Sequence, residues 1–173
     1  TDFQKETFDP GSSFARIGGG SLGGKARGLG FVNTLINDYN VRDRFEGVQI
    51  YVPPAVVLGT DVFDQFVDEN NLRKFAIGCS DDKEITRRFL QAEKFPEEIL
   101  GELAAFLDII RSPLAVRSSS LLDDSQYHPF AGVYETYMLP NNQTNPLIRL
   151  NDLLNTIKRV YASTFYQSAK DYI

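Results

Sequence analysis

Cysteine and long apolar runs are scarce or missing in this sequence, and each scarcity excludes a class of protein. Cys79 is the only cysteine, so the chain can form neither an internal disulfide nor a cysteine-based metal site. No apolar run approaches the roughly 20 residues of a membrane-spanning helix, and no signal peptide opens the chain. We therefore expect a reduced, cytoplasmic setting.

Basic residues are outnumbered, because 18 Lys and Arg stand against 23 Asp and Glu and give a net charge of −5. This balance argues against a broad nucleic-acid or membrane-binding surface, since both require a basic face, but it permits a small basic pocket. The 173 residues suffice for one domain or two small subdomains. The chain starts at Thr1 and ends within a helical pattern, which favours a piece of a larger protein.

Glycine, by contrast, is concentrated in one place. The segment Gly18–Gly30, GGGSLGGKARGLG, holds seven of the 13 glycines. Such density lets a backbone adopt positive φ and lets a ligand approach it closely. Lys25 adds a point charge that suits a phosphate. These features favour a phosphate-facing loop that runs into a helix, and the alternative is a flexible loop with a solvated lysine.

Two phosphate-binding motifs match this segment, but each lacks a necessary partner. Gly18–Gly23 satisfies G-x-G-x-x-G, which needs an acidic residue at a strand end about 20 residues later. Asp38 and Asp43 fall instead in a predicted helix end and a polar loop. Gly19–Lys25 satisfies G-x-x-x-x-G-K, but Ala26 stands where a hydroxyl would hold magnesium. Neither motif is favoured.

The hydrophobic pattern predicts an α+β domain after a lead-in segment or linker over residues 1–13. Strands are predicted at Phe14–Ile17, Val48–Val52, Ala55–Leu58, Leu114–Val116 and Tyr134–Leu139. Helices are predicted from Lys25, after Thr60 or Asp61 as the cap, over most of 71–111, and from Pro146. The apolar face of the first helix comprises Leu29, Val32, Ile36 and Tyr39, with Leu35 beside it.

A second polar constellation begins where a predicted buried strand ends. Arg117 opens the loop Ser118–Ser120, which continues through Asp123 and Asp124 and closes at Phe130–Gly132. A guanidinium at a strand end offers a bidentate fork for phosphate oxygens, and loop hydroxyls and N–H groups add donors. The alternatives are a structural salt bridge for Arg117 and an ordinary polar loop for the serines.

Four blocks of the sequence together resemble the nucleotide-binding domain of pyruvate phosphate dikinase and phosphoenolpyruvate synthase. That domain also occurs in rifampicin phosphotransferase and glucan water dikinase. The blocks follow the order of that family, and the likeness spans roughly residues 14–172, with 71–111 matched only in kind. They are GGKARGLGF (23–31), VPPAVVLGTDVF (52–63), LAVRSSS (114–120) and FAGVYET (130–136).

The resemblance implies an ATP-grasp-like fold that holds ATP between two lobes, of which residues 14–173 would form the first. Lys25 and Arg117 would contact the ATP phosphates as catalytic residues. The further nucleotide contacts that it implies are Gly24, Ser118, Ser119, Gly132 and Thr136. Magnesium ligands would lie mainly in the missing second lobe, and a separate phosphohistidine domain would carry the phosphoryl group to an acceptor such as pyruvate. The isolated chain would bind ATP weakly or not at all.

Some residues depart from the family pattern. Ala26–Arg27 replaces Gly-Ala, Ser120–Asp124 replaces A-T-A-E-D, and Val133 replaces Gln. These departures favour a divergent branch, and a regulatory nucleotide-binding or interaction module without catalysis stays open. His128 is the only histidine, but the resemblance places the phosphorylated histidine in another domain, so His128 is interpreted as a loop residue.

Overall fold

The computed structural model of the protein describes residues 1–11, 14–119 and 135–171. Within these ranges the chain forms seven helices and two two-stranded sheets, which confirms the predicted α+β class. The elements are β1 (Phe14–Ile17), α1 (Gly24–Asp38), β2 (Ala55–Leu58), α2 (Thr60–Glu69), α3 (Arg73–Gly78), α4 (Asp82–Gln91), α5 (Glu97–Ile109), β3 (Leu114–Arg117), β4 (Thr136–Leu139), α6 (Pro146–Ser163) and α7 (Gln167–Lys170).

The two sheets differ in the direction of their strands. β1 and β2 are parallel, with Phe14 opposite Ala55, so they require a crossover connection, and α1 lies within it. β3 and β4 are antiparallel, with Arg117 opposite Thr136 at the end of the pair. Both sheets thus end at residues that adjoin the glycine-rich or the serine-rich segment.

The core lies between α2, α4, α5 and α6 and is rich in aromatic rings. Phe66 is fully buried, and its ring centroid lies 5.6 Å from that of Phe95, 5.7 Å from that of Tyr161 and 6.0 Å from that of Phe89. Aromatic pairs at such separations contribute about 0.5–1.5 kcal/mol beyond the area that they bury. The predicted helical block over 71–111 is therefore chiefly a packing unit.

Residues 1–11 pack onto this core. The rings of Phe3 and Phe8 are buried 5.3 Å apart, and both lie edge-on to Phe106 on α5. The Phe3 N–H also donates a 2.7 Å hydrogen bond to the carbonyl of Arg16 in β1. The polar composition of the lead-in segment did not predict this anchoring.

The strand predicted at Val48–Val52 is wrong. Gly47 has a φ of 74°, and the chain turns back on itself there. The Val48 N–H donates to the carbonyl of Phe45 (3.1 Å) and the Ile50 N–H to that of Arg42 (2.9 Å). These local bonds use the backbone groups that a sheet ladder would need.

Helix α1 forms as predicted, but its apolar face is open to solvent. On this face Tyr39 is 70% exposed and Leu29, Val32 and Leu35 are also exposed, and Phe31, which lies outside the face, is 64% exposed. Large exposed apolar patches mark surfaces that bind other proteins or domains. Within the described residues, α1 is thus positioned by its first turn more than by its apolar face.

Three cationic side chains on α6 and α7 hold the C-terminal ends of three other helices. Carbonyls at a helix end lack partners within the helix and carry partial negative charge, so a cation is favourable there. Lys158 donates to Ala92 at the end of α4 (2.6 Å), Lys170 to Cys79 at the end of α3, and Arg149 to Ile110 at the end of α5 (2.8 Å). The C-terminal helices α6 and α7 therefore stabilise the positions of α3, α4 and α5.

Candidate functional site

The first half of the glycine-rich segment packs against the start of α2. Gly18 and Gly20 have φ values of 73° and 84°, which glycine adopts readily. A Cβ at Gly20 would lie 2.4 Å from Oδ1 of Asp61 and 2.4 Å from Oγ1 of Thr60. These glycines serve a close approach between protein segments, so their density alone does not indicate a ligand.

Hydrogen bonds fix this loop to α2. The Thr60 N–H donates to the carbonyl of Ser21 (3.0 Å), and the Ser21 N–H donates to Oγ1 of Thr60 (2.9 Å). The Asp61 N–H donates to the carbonyl of Gly19 (3.3 Å). The predicted cap at Thr60 or Asp61 is wrong, because Gly59 is the N-cap and loop carbonyls satisfy the first N–H groups of α2. A Cβ at Gly59 would lie 1.9 Å from the carbonyl oxygen of Gly19.

The second half of the segment contacts the serine-rich loop. Gly23, the N-cap of α1, has a φ of 74°, and a Cβ there would lie 1.3 Å from the carbonyl oxygen of Ser119. Oγ of Ser119 accepts a 2.8 Å hydrogen bond from the N–H of Ala26, the third residue of α1. A hydroxyl 93 positions away thus caps this helix. The sequence predicted Ser119 as a nucleotide contact and gave no signal of its capping role.

This contact joins the two segments that carry the predicted cations. Lys25 is the second residue of α1, two positions after Gly23, and is half-buried. Arg117 is the last residue of β3, two positions before Ser119, and is exposed. The strand was predicted as buried, but its residues alternate between half-buried and exposed, because one face of the two-stranded sheet is open.

The remaining predicted contacts lie around this junction where the structure describes them. Gly24 is buried at the start of α1, Ser118 is half-buried, and Thr136 faces Arg117 across the β3–β4 pair. The N–H of Glu135, which precedes β4, donates to Oγ of the buried Ser163 (3.4 Å). The predicted contact Gly132 lies outside the described residues, as do Asp123, Asp124 and His128.

The start of α1 is more favourable for an anion than the start of α2. The first turn of α1 contains no acidic residue, whereas that of α2 contains Asp61. The partial positive charge of a helix N-terminus therefore adds to the charge of Lys25. Arg27, one turn into α1, donates from Nε to the carbonyl of Gly23 (3.3 Å) and keeps a second guanidinium near this end.

A cleft of about 360 Å³ is lined in part by Gly18 and Gly19 from the first half of the glycine-rich segment. Asp61, Glu97 and Glu98 line it, so their carboxylates would repel a polyphosphate. This cleft is therefore unfavourable for a polyphosphate, and the predicted cations Lys25 and Arg117 lie instead in the two segments that meet at Gly23 and Ser119. In the described ranges, no group of three His, Cys, Asp or Glu side chains is placed to hold a metal ion, and no described helix is long and apolar enough to cross a membrane.

Two small sheets packed with helices, in which a glycine-rich segment starts a helix, are consistent with the predicted ATP-grasp-like nucleotide-binding domain. Comparison with protein families specifies the class further. Residues 20–173 match the family described as pyruvate phosphate dikinase, AMP/ATP-binding domain, and the chain belongs to this family. The resemblance found in the sequence is thereby confirmed. Searches of curated proteins and of solved structures give no significant match.

Proposed function

We propose that this chain is the ATP-binding lobe of a phosphotransferase and that Lys25 and Arg117 hold the phosphates of ATP. Membership of an AMP/ATP-binding family supports the ligand. The contact between Gly23 and Ser119 is the observation that carries the assignment of the site, because it holds the segments of both cations at one place.

In this proposal the lobe acts by position and charge. Phosphoryl transfer depends mainly on the placement of phosphates and on neutralisation of their charge. Lys25 supplies a point charge, and the guanidinium of Arg117 supplies a fork for two phosphate oxygens. Gly24, Ser118 and Thr136 border these oxygens, together with Gly132, which lies outside the described residues, whereas the Ser119 hydroxyl already accepts from the N–H of Ala26.

The rest of the reaction falls to other parts of the parent protein. A second lobe closes over ATP and supplies most magnesium ligands, and a phosphohistidine domain receives the phosphoryl group and passes it to an acceptor such as pyruvate. The exposed apolar face of α1 supports the binding of a further domain at this surface. The net negative charge of the sequence supports partners other than nucleic acid and membrane. The single cysteine supports a cytoplasmic setting.

Substitution of the two cations in the complete protein tests this proposal. Lys25→Ala and Arg117→Ala should each lower the rate of ATP-dependent phosphoryl transfer by about 10²–10³-fold, because each removes charge stabilisation from the transferred phosphates. Lys74→Ala and Arg44→Ala are matched controls, since both side chains are exposed and lie in other segments. An unchanged rate in either test variant removes that residue from the site.

The isolated chain provides a second test. It should bind ATP weakly or not at all and show no turnover, because the second lobe is needed to enclose the nucleotide. Steady ATP hydrolysis by the purified chain would contradict this expectation. ATP binding by the complete protein without any turnover would favour the regulatory module over the phosphotransferase.

A further inference from the structure

We propose that Ser119 is a positioning residue that fixes the first turn of α1, and with it Lys25, against the Arg117 end of β3. The inference rests on the proposed function of these two cations. It goes beyond a direct contact with nucleotide, because the Ser119 hydroxyl already accepts a 2.8 Å hydrogen bond from the N–H of Ala26.

Helix α1 depends on this distant hydroxyl because its own N-cap offers none. Gly23 occupies the N-cap position and has no side chain to accept from the first turn. Serine is among the best capping residues, and replacement of a cap by alanine frays the first turn. Ser119 therefore supplies from another segment what the local sequence of α1 lacks.

Glycine at position 23 is the counterpart of this arrangement. The backbone of Ser119 lies where a Cβ of residue 23 would be, so a larger residue there would push the two segments apart. The choice of Gly over Ser at the N-cap thus exchanges a local cap for a tertiary one. The local cap would hold α1 alone, whereas the tertiary cap also fixes its distance to β3.

The consequence for binding is preorganisation. A phosphate group can engage both Lys25 and Arg117 only when the two segments stand together, and the apparent affinity falls with the fraction of molecules in that arrangement. Loss of the cap lowers that fraction. Ser119 therefore influences ATP affinity through the location of Lys25.

The test compares Ser119→Ala with Ser119→Thr in the complete protein, with Thr34→Ala as the control. Thr34 also carries a hydroxyl on α1, but this hydroxyl bonds to the carbonyl of Gly30, far from the first turn. Two quantities are measured: the amide hydrogen exchange of Ala26 without nucleotide, on the millisecond scale, and the dissociation constant for ATP.

We expect Ser119→Ala to accelerate the exchange of Ala26 and to weaken ATP binding, each by about fivefold to tenfold. Ser119→Thr should restore both values to within about threefold, because threonine also caps helices. Thr34→Ala should change neither.

Three results would overturn the inference. Faster exchange with unchanged ATP affinity would make the cap purely structural, and weaker affinity with unchanged exchange would make Ser119 a direct ligand contact. No change in either quantity would remove Ser119 altogether. If Lys25→Ala and Arg117→Ala also left ATP affinity unchanged, the proposed function would fail with it, whereas an effect of these two variants alone would confine the failure to Ser119.

Discussion

Arg149 donates a 2.9 Å hydrogen bond from Nε to Oδ1 of Asn141, and both side chains are buried. Asn141 in turn donates from Nδ2 to the carbonyls of Ile110 (3.0 Å) and Ser112 (2.9 Å). Burial lowers the pKa of the Arg149 guanidinium from its ordinary value. This buried pair joins the end of α5 to the turn after β4, so it sets where β3 begins and hence where Arg117 stands.

Replacement of Asn141 by glycine should destabilise the domain by about 2–3 kcal/mol, because the carbonyls of Ile110 and Ser112 and Nε of Arg149 each lose a partner. Asn141 has a φ of 55°, which glycine adopts without strain, so the variant isolates the side chain. Asn71→Gly is the matched control, since Asn71 has a φ of 54° but is exposed. Urea unfolding measures both, and equal values for the two variants would refute the role of the Asn141 amide.

Alanine at Gly23 and at Gly28 should change stability in opposite directions. At Gly23 the positive φ and the overlap with Ser119 predict a loss of at least about 2 kcal/mol. At Gly28 the added Cβ would meet no described atom within 4 Å apart from its chain neighbours and the nearby backbone of α1, so the better helix propensity of alanine predicts a gain of about 0.5–1 kcal/mol. Thermal unfolding of the purified chain decides the matter, and a neutral Gly23→Ala would show that the two segments separate easily.

Replacement of Phe31 by serine should change the free energy of unfolding only where another domain covers α1. In the isolated chain the variant should change the free energy of unfolding by less than about 0.5 kcal/mol, because the ring is already exposed. In the complete protein it should lower this free energy by about 1–2 kcal/mol if the ring is buried there. Ile77→Ser serves as the control, since Ile77 is 63% exposed on α3. Identical small effects in both forms would mean that nothing packs on Phe31.

Glutamine at Glu102 should stabilise the domain at neutral pH. Burial raises the pKa of Glu102, and the charges of Glu98 and Asp2 raise it further. Protonated Glu102 is better accommodated in the folded state than ionised Glu102. Its contribution to the free energy of unfolding is therefore full below the pKa of the unfolded chain, near 4.5, and is lost as the pH rises through the higher pKa of the folded state. The variant cannot ionise and should lose this dependence. The free energy of unfolding at pH 4 and at pH 7 measures this dependence. Glu46→Gln, at an exposed residue, is the control. If Glu102→Gln kept the pH profile of the unaltered protein, the role given to Glu102 would be wrong.

The sequence predicted the elements whose periodicity is strong, such as α5 and α6, and it located β1, β2 and β3. It failed at 48–52, because alternating apolar residues there resemble a strand while Gly47 and local hydrogen bonds make a turn. It also could not predict the exposure of α1. Periodicity identifies an apolar face, but the partner that covers this face is set by the rest of the fold.

The residues of the candidate site could be proposed from the sequence, but the tertiary contacts between their segments could not. Lys25 stands out because it lies within the glycine-rich segment, and Arg117 stands out because it ends a predicted strand. The capping of α1 by Ser119 and the fastening of the glycine-rich loop by Thr60 are tertiary contacts, since 93 and 39 positions separate their partners. Local propensity carries no information on such pairs.

The three cations of α6 and α7 also determine when the chain can complete its fold. Synthesis proceeds from the N-terminus, so α3, α4 and α5 leave the ribosome before the cationic side chains that donate hydrogen bonds to their last carbonyls. Arg149 reaches α5 first, Lys158 then reaches α4, and Lys170 reaches α3 last. The cations therefore become available to the three helices in the reverse of the order of these helices in the chain. A nascent chain that stops at Ser163 leaves α3 without its lysine.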